Sequence, residues 1–311
     1  MKIFPFTILY LKLFVISIDT ECDKGRNWEI IRPLSFVGIY KGVGEYLQPL
    51  FEKHKIKATY LISPEVMGDD KSVEILKDVE KSGAELGTHL HGEFLEPLSN
   101  PNAYKTDEKA ENYDDEVEYQ KLKNLTDLFI NVFGFRPASY RAGRFSITDR
   151  TFDFLEKLGY TVDSSITPYS FGHPPIPPIP YFVKNILEVP ITSYTKNWNL
   201  FKVLRNTPFY GWGRFRKVVS RFGPIWLRPS LFDYKSMLKL VEDLEKTFGD
   251  MVLNMFMHNM EVIPGLSPYD AEFTRKNLEN IIPAIIDRGY KPGTLHEVYT
   301  AYKNTNSPFE N

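Results

Sequence analysis

Apolar positions along the chain switch repeatedly between a strand-like and a helix-like period, which predicts strands alternating with helices. Apolar, β-branched runs predict strands over Lys12–Asp19, Ala58–Ser63, Ala84–His91, Ala138–Ala142, Tyr160–Ile166, Ile186–Thr192 and Met251–His258. Helical spacing predicts helices over 36–54, Lys71–Lys81, 107–133, Thr148–Leu158 (with Thr148 as N-cap), 234–247 and 270–288, and a last short segment near Leu295. This alternation is typical of parallel βαβ units, and about seven or eight of them in one chain favour an α/β barrel.

Two stretches interrupt the alternation. Thr167–Tyr181 contains six prolines, which predicts a stiff loop. Residues 194–230, here called the basic segment, contain eight lysines or arginines, nine aromatic residues and no acidic residue. We expect one barrel domain over 1–311, with loop insertions at about 167–181 and 194–230 at one end of the barrel.

The N-terminal residues 3–11 are apolar and lie between Lys2 and Lys12. The run is short, contains Pro5, lacks a small-residue cleavage site and continues into the first predicted strand. We therefore expect an N-terminal extension, with a signal anchor as the alternative. Since no run approaches the roughly 20 apolar residues of a membrane span, the expected location is the cytoplasm or the inner face of a membrane.

Composition narrows the chemistry. The 311 residues carry a net charge of −2, with 42% hydrophobic and 25% charged residues. These values exclude a disordered chain and give no general attraction to nucleic acid, so we expect no nucleic-acid partner. The single cysteine, Cys22, excludes an intramolecular disulfide and a zinc site built on several thiolates. Histidine and carboxylate remain as the strong metal ligands.

Most residues capable of catalysis lie at or near the C-terminal ends of the predicted strands, where an α/β barrel has its active site. The positions are Asp19, Glu21, His89, His91, Arg141, Asp163, Glu188 and His258. His89 and His91 are two residues apart on a strand, so their rings project from the same face. Two histidines and a carboxylate leave a fourth position for water, the usual arrangement of a catalytic zinc site. The alternatives are a chance histidine pair at a hydrated strand end and solvated acids in a loop.

Six segments occur in order along the chain: FVISIDTE, ELGTHLH, PASYRAGRF, GYTVDSSI, LEVP and MFMHNMEVIPGLSPY. Together they resemble the polysaccharide deacetylase (NodB-homology) superfamily, in particular its branch with D-T-E and H-x-H motifs. The resemblance covers residues 12–300. It implies an α/β fold, a distorted (β/α)₇ barrel, and metal-dependent hydrolysis of an N-acetyl group on a sugar.

By this resemblance Asp19 matches the catalytic base, and Arg141 matches the arginine that pairs with it. The superfamily's usual pattern places a metal-binding aspartate directly after the base, where this chain has Thr20. Glu21 is the nearest carboxylate, and we infer that it takes over as metal ligand.

His89 matches the first metal-binding histidine. The usual second histidine lies four residues further on, where this chain has Glu93, so either His91 or Glu93 takes that place. His258 matches the general acid, and Asp163 matches the residue that orients it. The alternative for His258 is a histidine packed in the core.

The implied chemistry needs a divalent metal, for which Zn²⁺ is the expected ion, to polarise the amide carbonyl and to lower the pKa of bound water. Asp19 would accept the proton from water, and His258 would protonate the leaving amine. The predicted function is deacetylation of an N-acetylated sugar or surface glycan. An amidohydrolase acting on a small non-sugar amide and a non-catalytic sugar-binding barrel remain as alternatives.

The basic segment allows two interpretations. It is an insertion helix with an ordinary basic face, or it places cations and aromatic rings at a membrane interface. Cations attract anionic headgroups, so the second interpretation predicts peripheral membrane contact and a lipid-linked sugar as substrate.

Overall fold

The computed structural model describes residues 11–98, 108–170 and 175–306. Most of the predicted segment 3–11 and part of the proline-rich loop therefore lie outside the described residues. The strands are β1 Leu13–Thr20, β2 Thr59–Ile62, β3 Glu85–Leu90, β4 Ser139–Ala142, β5 Val162–Asp163, β6 Tyr181–Val183, β7 Ile186–Glu188, β8 Ser193–Tyr194, β9 Ile225–Trp226, β10 Val252–His258 and β11 Lys291–Pro292.

Helices follow most of the parallel strands. A π-type helix over Gly38–Leu47 continues directly into α1 Gln48–His54. The other helices are α2 Asp70–Lys81, α3 Asp115–Phe133, α4 Asp149–Lys157, α5 Trp198–Arg205, α6 Gly213–Val219, α7 Tyr234–Phe248, α8 Ala271–Asp287 and α9 Leu295–Asn306. Thr148 caps α4 in a capping box with Thr151, as the sequence predicts. Within the described residues, none of the helices combines the length and the apolar character that crossing a membrane requires.

Among the described residues nine strands form one curled sheet in the order β10-β1-β2-β3-β4-β5-β7-β6, with β11 also paired to β1, and all neighbours are parallel except β6 and β7. β8 and β9 form a separate antiparallel pair. No strand ladder joins β7 to β10 among the described residues. Instead Thr192 donates from its N–H to the carbonyl of Asn254 at 3.0 Å, and Phe256 donates to the carbonyl of Leu227 at 3.1 Å. The sheet thus closes through irregular segments, which confirms the predicted distorted barrel.

Alternation along the strands divides the core into two clusters. Phe14, Ile16 and Ile18 of β1 belong to the larger cluster, which the surrounding helices cover. Val15 belongs to the smaller cluster inside the barrel, where Leu295, Val298 and Tyr302 of α9 also pack. The segment near Leu295 is therefore a full helix that covers the end of the barrel where the strands begin. The opposite end, where the strands finish, stays available for a site.

Several predicted elements differ from the observed ones. The strand predicted over Ile186–Thr192 ends at Glu188. The helix predicted over 107–133 begins at Asp115. The strand predicted over Tyr160–Ile166 is reduced to Val162–Asp163. Beyond it the carbonyl of Ser164 accepts a hydrogen bond from Nε of Arg141, and the hydroxyl of Ser165 accepts one from the backbone N–H of Ala142. The basic segment contains two short helices, α5 and α6, above the antiparallel pair β8–β9, where the sequence indicated one insertion helix.

Candidate active site

Strand register brings the predicted residues to one end of the barrel. Asp19 pairs with His258 across β1 and β10, and His89 pairs with Arg141 across β3 and β4. Glu21 and His91 directly follow their strands. All six predicted site residues are buried, and all except Arg141 line one cavity of ≈ 870 Å³. Arg141 lies behind Asp19.

Arg141 fixes the position of Asp19. Its Nη1 donates to Oδ1 of Asp19 at 2.6 Å, and the other guanidinium nitrogens donate to Ser17 and Ser164 at 2.7–2.8 Å. These charge-assisted and neutral hydrogen bonds hold a planar guanidinium in one orientation and stabilise the negative charge of Asp19. The second oxygen, Oδ2, lies 3.5 Å from Nε2 of His89. Asp19 therefore has one oxygen occupied and one directed at the histidines.

Glu21, His89 and His91 form a compact group of ligand atoms. Oε1 of Glu21 lies 3.1 Å from Nε2 of His89 and 3.0 Å from Nε2 of His91. The Nδ1 atoms are held from behind, by the carbonyl of Arg141 at 3.0 Å and by Glu93 at 3.1 Å. Ligand histidines are usually oriented in this way through the second ring nitrogen.

The donor set fits a divalent metal ion. One ligand atom from each of these three residues lies within 4.8 Å of the others. Separations of 3.0–3.1 Å also suit two atoms that are each about 2.0–2.2 Å from one ion. A second group, formed by Asp19, Glu21 and His258, lies within the same limit and shares the Glu21 carboxylate.

The charges around Glu21 are balanced by its neighbours. Oε2 of Glu21 pairs with Nζ of Lys24 at 2.9 Å. Burial alone would raise the pKa of Glu21, but His91, Lys24 and the histidine hydrogen bonds lower that pKa well below its usual range. Burial alone would lower the pKa of His91, but Glu21 and Glu93 raise it to about 10. A cation bound at Nε2 of His91 must therefore replace a proton.

Glu93 lies on the outer side of His91. It bonds to Nδ1 of the ring and to Arg144 at 2.7 Å, and it belongs to neither group of close ligand atoms found among the described residues. Burial raises the pKa of Glu93, but His91 and Arg144 lower it overall. Of the two residues that could take the place of the second histidine, the geometry favours His91.

His258 faces the same centre from β10. Its Nε2 lies 3.9 Å from Oδ2 of Asp19 and 3.8 Å from Oε1 of Glu21. Its Nδ1 lies 2.9 Å from Oε1 of Glu261, which orients the ring. The resemblance assigned that orienting role to Asp163, and this expectation is wrong, because the Asp163 carboxylate accepts hydrogen bonds from Ser165 instead.

Arg228, from the end of the basic segment, completes this side of the site. Its Nη2 donates to Oε1 of Glu261 at 2.6 Å, and its guanidinium lies between the rings of Phe256 and Tyr269, 4.7 and 4.9 Å from their centroids. Burial alone would raise the pKa of Glu261, but Arg228 and His258 lower it to about 2. Sequence reasoning missed both residues, although a glutamate three positions after a strand-end histidine was visible in MFMHNME.

Comparison with known proteins supports the fold. No protein-family model and no curated protein matches the sequence. Among solved structures, a putative polysaccharide deacetylase from Mycobacterium smegmatis matches with a TM-score of 0.60 and 13% identity, covering 98% of this chain and 96% of the other. A probable polysaccharide deacetylase from Pseudomonas aeruginosa PAO1 matches with a TM-score of 0.54 and 14% identity, covering 96% and 92%.

A third similar structure is PuuE allantoinase, with a TM-score of 0.54 and 13% identity over 96% of this chain and 91% of the other. At such low identities the likeness establishes the fold. The resemblance inferred from the motifs is confirmed at that level: this chain has the fold of the polysaccharide deacetylases, the NodB-type distorted barrel.

Proposed function

We propose that the protein is a metal-dependent hydrolase that removes an N-acetyl group from a sugar or surface glycan. The observation that supports this function is the convergence of three chemical elements on one cavity. They are the carboxylate of Asp19 held by Arg141, the Glu21–His89–His91 group, and His258 held by Glu261. Hydrolysis of an amide needs a base, an electrophilic centre and an acid, and this cavity offers a candidate for each.

Glu21, His89 and His91 would hold the metal, and Zn²⁺ is the proposed ion because two imidazoles and one carboxylate are a common catalytic zinc set. When bound, such an ion polarises the carbonyl oxygen and acidifies water. Asp19 accepts the proton of the attacking water at Oδ2, while Arg141 keeps Oδ1 in place. Since Nδ1 of His258 is directed at Glu261, Nε2 is the ring nitrogen that faces the cavity, and the imidazolium form would donate its Nε2 proton to the departing amine.

The cavity suits a sugar. Its ≈ 870 Å³ lies in the usual range for ligand pockets and exceeds what a small amide would fill. Trp28 lines it beside His258, with the ring centroids 4.8 Å apart, and Tyr269 lies 5.8 Å from Trp28. Aromatic rings next to charged side chains provide an apolar surface and a polar rim, which fits the two faces of a pyranose. We therefore favour the sugar over the small non-sugar amide and over a binding barrel without activity.

We further propose that the acetylated sugar is linked to a lipid. The support is the basic segment, which contributes Arg228 to the site and offers cations to an anionic carrier or headgroup. On this proposal the protein would act in peripheral contact with a membrane.

The test is acetate release by the metal-loaded protein across a panel of N-acetylated sugars, free and lipid-linked, together with the metal content per chain. We expect about one tightly bound divalent ion per chain and a clear preference within the panel. His89→Ala should remove both the metal and the activity. Absence of acetate release from every substrate by a protein confirmed to contain metal would reject the deacetylase, and a chain that binds no metal after reconstitution would reject the metal dependence.

A further inference from the structure

Large apolar side chains that face solvent are concentrated in the basic segment. Among the described residues eleven such side chains are exposed, and five of them lie between positions 200 and 218. These five are 45–66% exposed: Leu200, Val203, Phe209, Trp212 and Val218. Scattered surface apolar residues need no explanation, but a concentration of this kind marks a surface that another phase or molecule covers.

Exposed cations alternate with these apolar side chains along the basic segment. Five of these cations form no ion pair with an acid in the described part of the chain: Lys202, Arg214, Arg216, Lys217 and Arg221. Lys196, at the start of the segment, does pair with Asp243 of α7 at 2.9 Å. Since the segment itself contains no acid, the positive charge of these five residues is not neutralised by ion pairs within the described residues, and it favours an anionic partner.

The exposed apolar and basic side chains belong to a folded part of the basic segment that includes the helices α5 and α6. Phe201 of α5 and Val219 of α6 are buried on its inner side, while Phe209 contacts the rings of Trp212 and Phe215 at centroid distances of 5.2 and 6.2 Å. Short helices with apolar and basic exposed positions are typical of segments that lie in a membrane interface.

The base of this unit adjoins the catalytic cavity. Trp226 of β9 contacts Phe145 at 6.4 Å between centroids, and Phe145 lines the cavity. Two residues after Trp226, Arg228 enters the cavity and holds Glu261. A surface that docks through the basic segment would therefore lie close to the opening of the site.

We propose that the basic segment docks the protein onto an anionic membrane surface, with Trp212 and Phe209 entering the interface and the cations contacting headgroups. A second copy of the chain is a poorer occupant, because pairing two acid-free basic surfaces brings like charges together. The inference deepens the proposed function, since it places the cavity beside lipid-linked sugars. It is measured without activity, so the two proposals can fail separately.

The experiment is flotation of the full-length protein with vesicles of phosphatidylcholine that contain about one third phosphatidylglycerol, and with phosphatidylcholine alone. We expect binding to the anionic vesicles at low ionic strength. The binding should weaken strongly at about 1 M salt, where the Debye length is about 3 Å.

Two variants separate charge from insertion. Reversing Arg214, Arg216 and Lys217 to glutamate should weaken vesicle binding by at least about a hundredfold, since losing three basic residues that each contribute roughly a factor of five costs that much and the new carboxylates are repelled by the anionic surface. Trp212→Ser should weaken it further at high salt, where insertion dominates. The matched control reverses the exposed lysines of α7, Lys235, Lys239 and Lys246, which changes the net charge equally and should retain more of the binding.

Three results would overturn the docking proposal. The first is a wild-type protein that ignores anionic vesicles at low salt. The second is equal loss of binding in the α7 control, which would indicate net charge rather than a surface. The third is a concentration-dependent dimer that Trp212→Ser dissociates, which would show that a second copy covers these residues. Vesicle binding without acetate release would retain the docking surface and reject the proposed function.

Discussion

Replacing Glu261 with glutamine should slow the hydrolysis of amides selectively. Glu261 accepts a hydrogen bond from Nδ1 of His258 at 2.9 Å and one from Arg228 at 2.6 Å, and it touches none of the proposed metal ligands. Glutamine keeps the size of the side chain and an acceptor oxygen, so the ring orientation is retained. What is lost is the negative charge that stabilises the protonated histidine.

The magnitude follows from the strength of that contact. A hydrogen bond to a charged group contributes about 1.5–3 kcal/mol, against about 0.5–1.5 kcal/mol for a neutral one. The loss for protonated His258 is therefore about 1–2 kcal/mol, which corresponds to a five- to thirtyfold decrease in kcat. The protein should also become less stable, because Arg228 remains buried beside a neutral partner.

The assay compares kcat and KM of the metal-loaded protein on an N-acetylated sugar and on an activated aryl acetate. The amine must be protonated as it leaves, whereas the phenolate does not need protonation, so the loss should appear on the amide with little change on the ester. His258→Ala should show the same selectivity with a larger loss. The control is Glu118→Gln, which removes the charge from a buried glutamate paired with Arg150 at 2.6 Å. Equal slowing of both substrates, or an equal effect of the control, would refute the role of Glu261.

Three further predictions concern the base, the metal ligands and pH. Asp19→Asn should lower the rate of acetate release by about 10²–10⁴-fold with unchanged metal content; a near wild-type rate would reject Asp19 as the base. Metal analysis should show that Glu21→Asp and His91→Ala lose the ion and that Glu93→Ala retains it. If Glu93→Ala lost the ion and His91→Ala retained it, Glu93 would be the metal ligand in place of His91. Because folding lowers the pKa of Glu261 from 4.5 to about 2, its contribution to stability is present above about pH 4.5 and is lost as the pH falls towards 2. Acid unfolding curves should therefore converge for wild type and Glu261→Gln near pH 2, and parallel curves would contradict this linkage.

The strands and most of the predicted site residues could be read from the sequence for a common physical reason. Strands buried on both faces appear as largely apolar runs, such as Leu13–Ile18 with only Ser17 polar, and the charged residue that ends each run marks the open end of the barrel. Because neighbouring strands are parallel, the residues that end them lie together at one end of the barrel, and no further information is needed to predict this. Asp19 and His258 are 239 positions apart and are nevertheless paired across adjacent strands.

The residues that hydrogen-bond to these site residues and hold them in place could not be predicted, because their positions depend on the path of irregular segments. Arg228 reaches Glu261 because the segment after β9 runs beside β10, as the hydrogen bond from the N–H of Phe256 to the carbonyl of Leu227 shows. Hydrophobic periodicity carries no signal for such a path. The sequence likewise predicts Ser164 within a strand, whereas its carbonyl and hydroxyl both accept hydrogen bonds from Arg141.

The two departures from the superfamily's usual pattern compensate for each other in space. Side chains alternate along β1, so Thr20 faces away from Asp19, and its hydroxyl bonds to the carbonyl of Ile18. Moving the carboxylate to Glu21 returns it to the face of Asp19, and the extra methylene of glutamate extends its reach. His91 is two residues from His89, and its ring therefore projects from the same face of β3 towards that carboxylate. The observed distances of 3.1 and 3.0 Å from one glutamate oxygen to the two rings show that the altered spacings still converge on one point. This convergence supports the proposed metal centre over a barrel that has lost it.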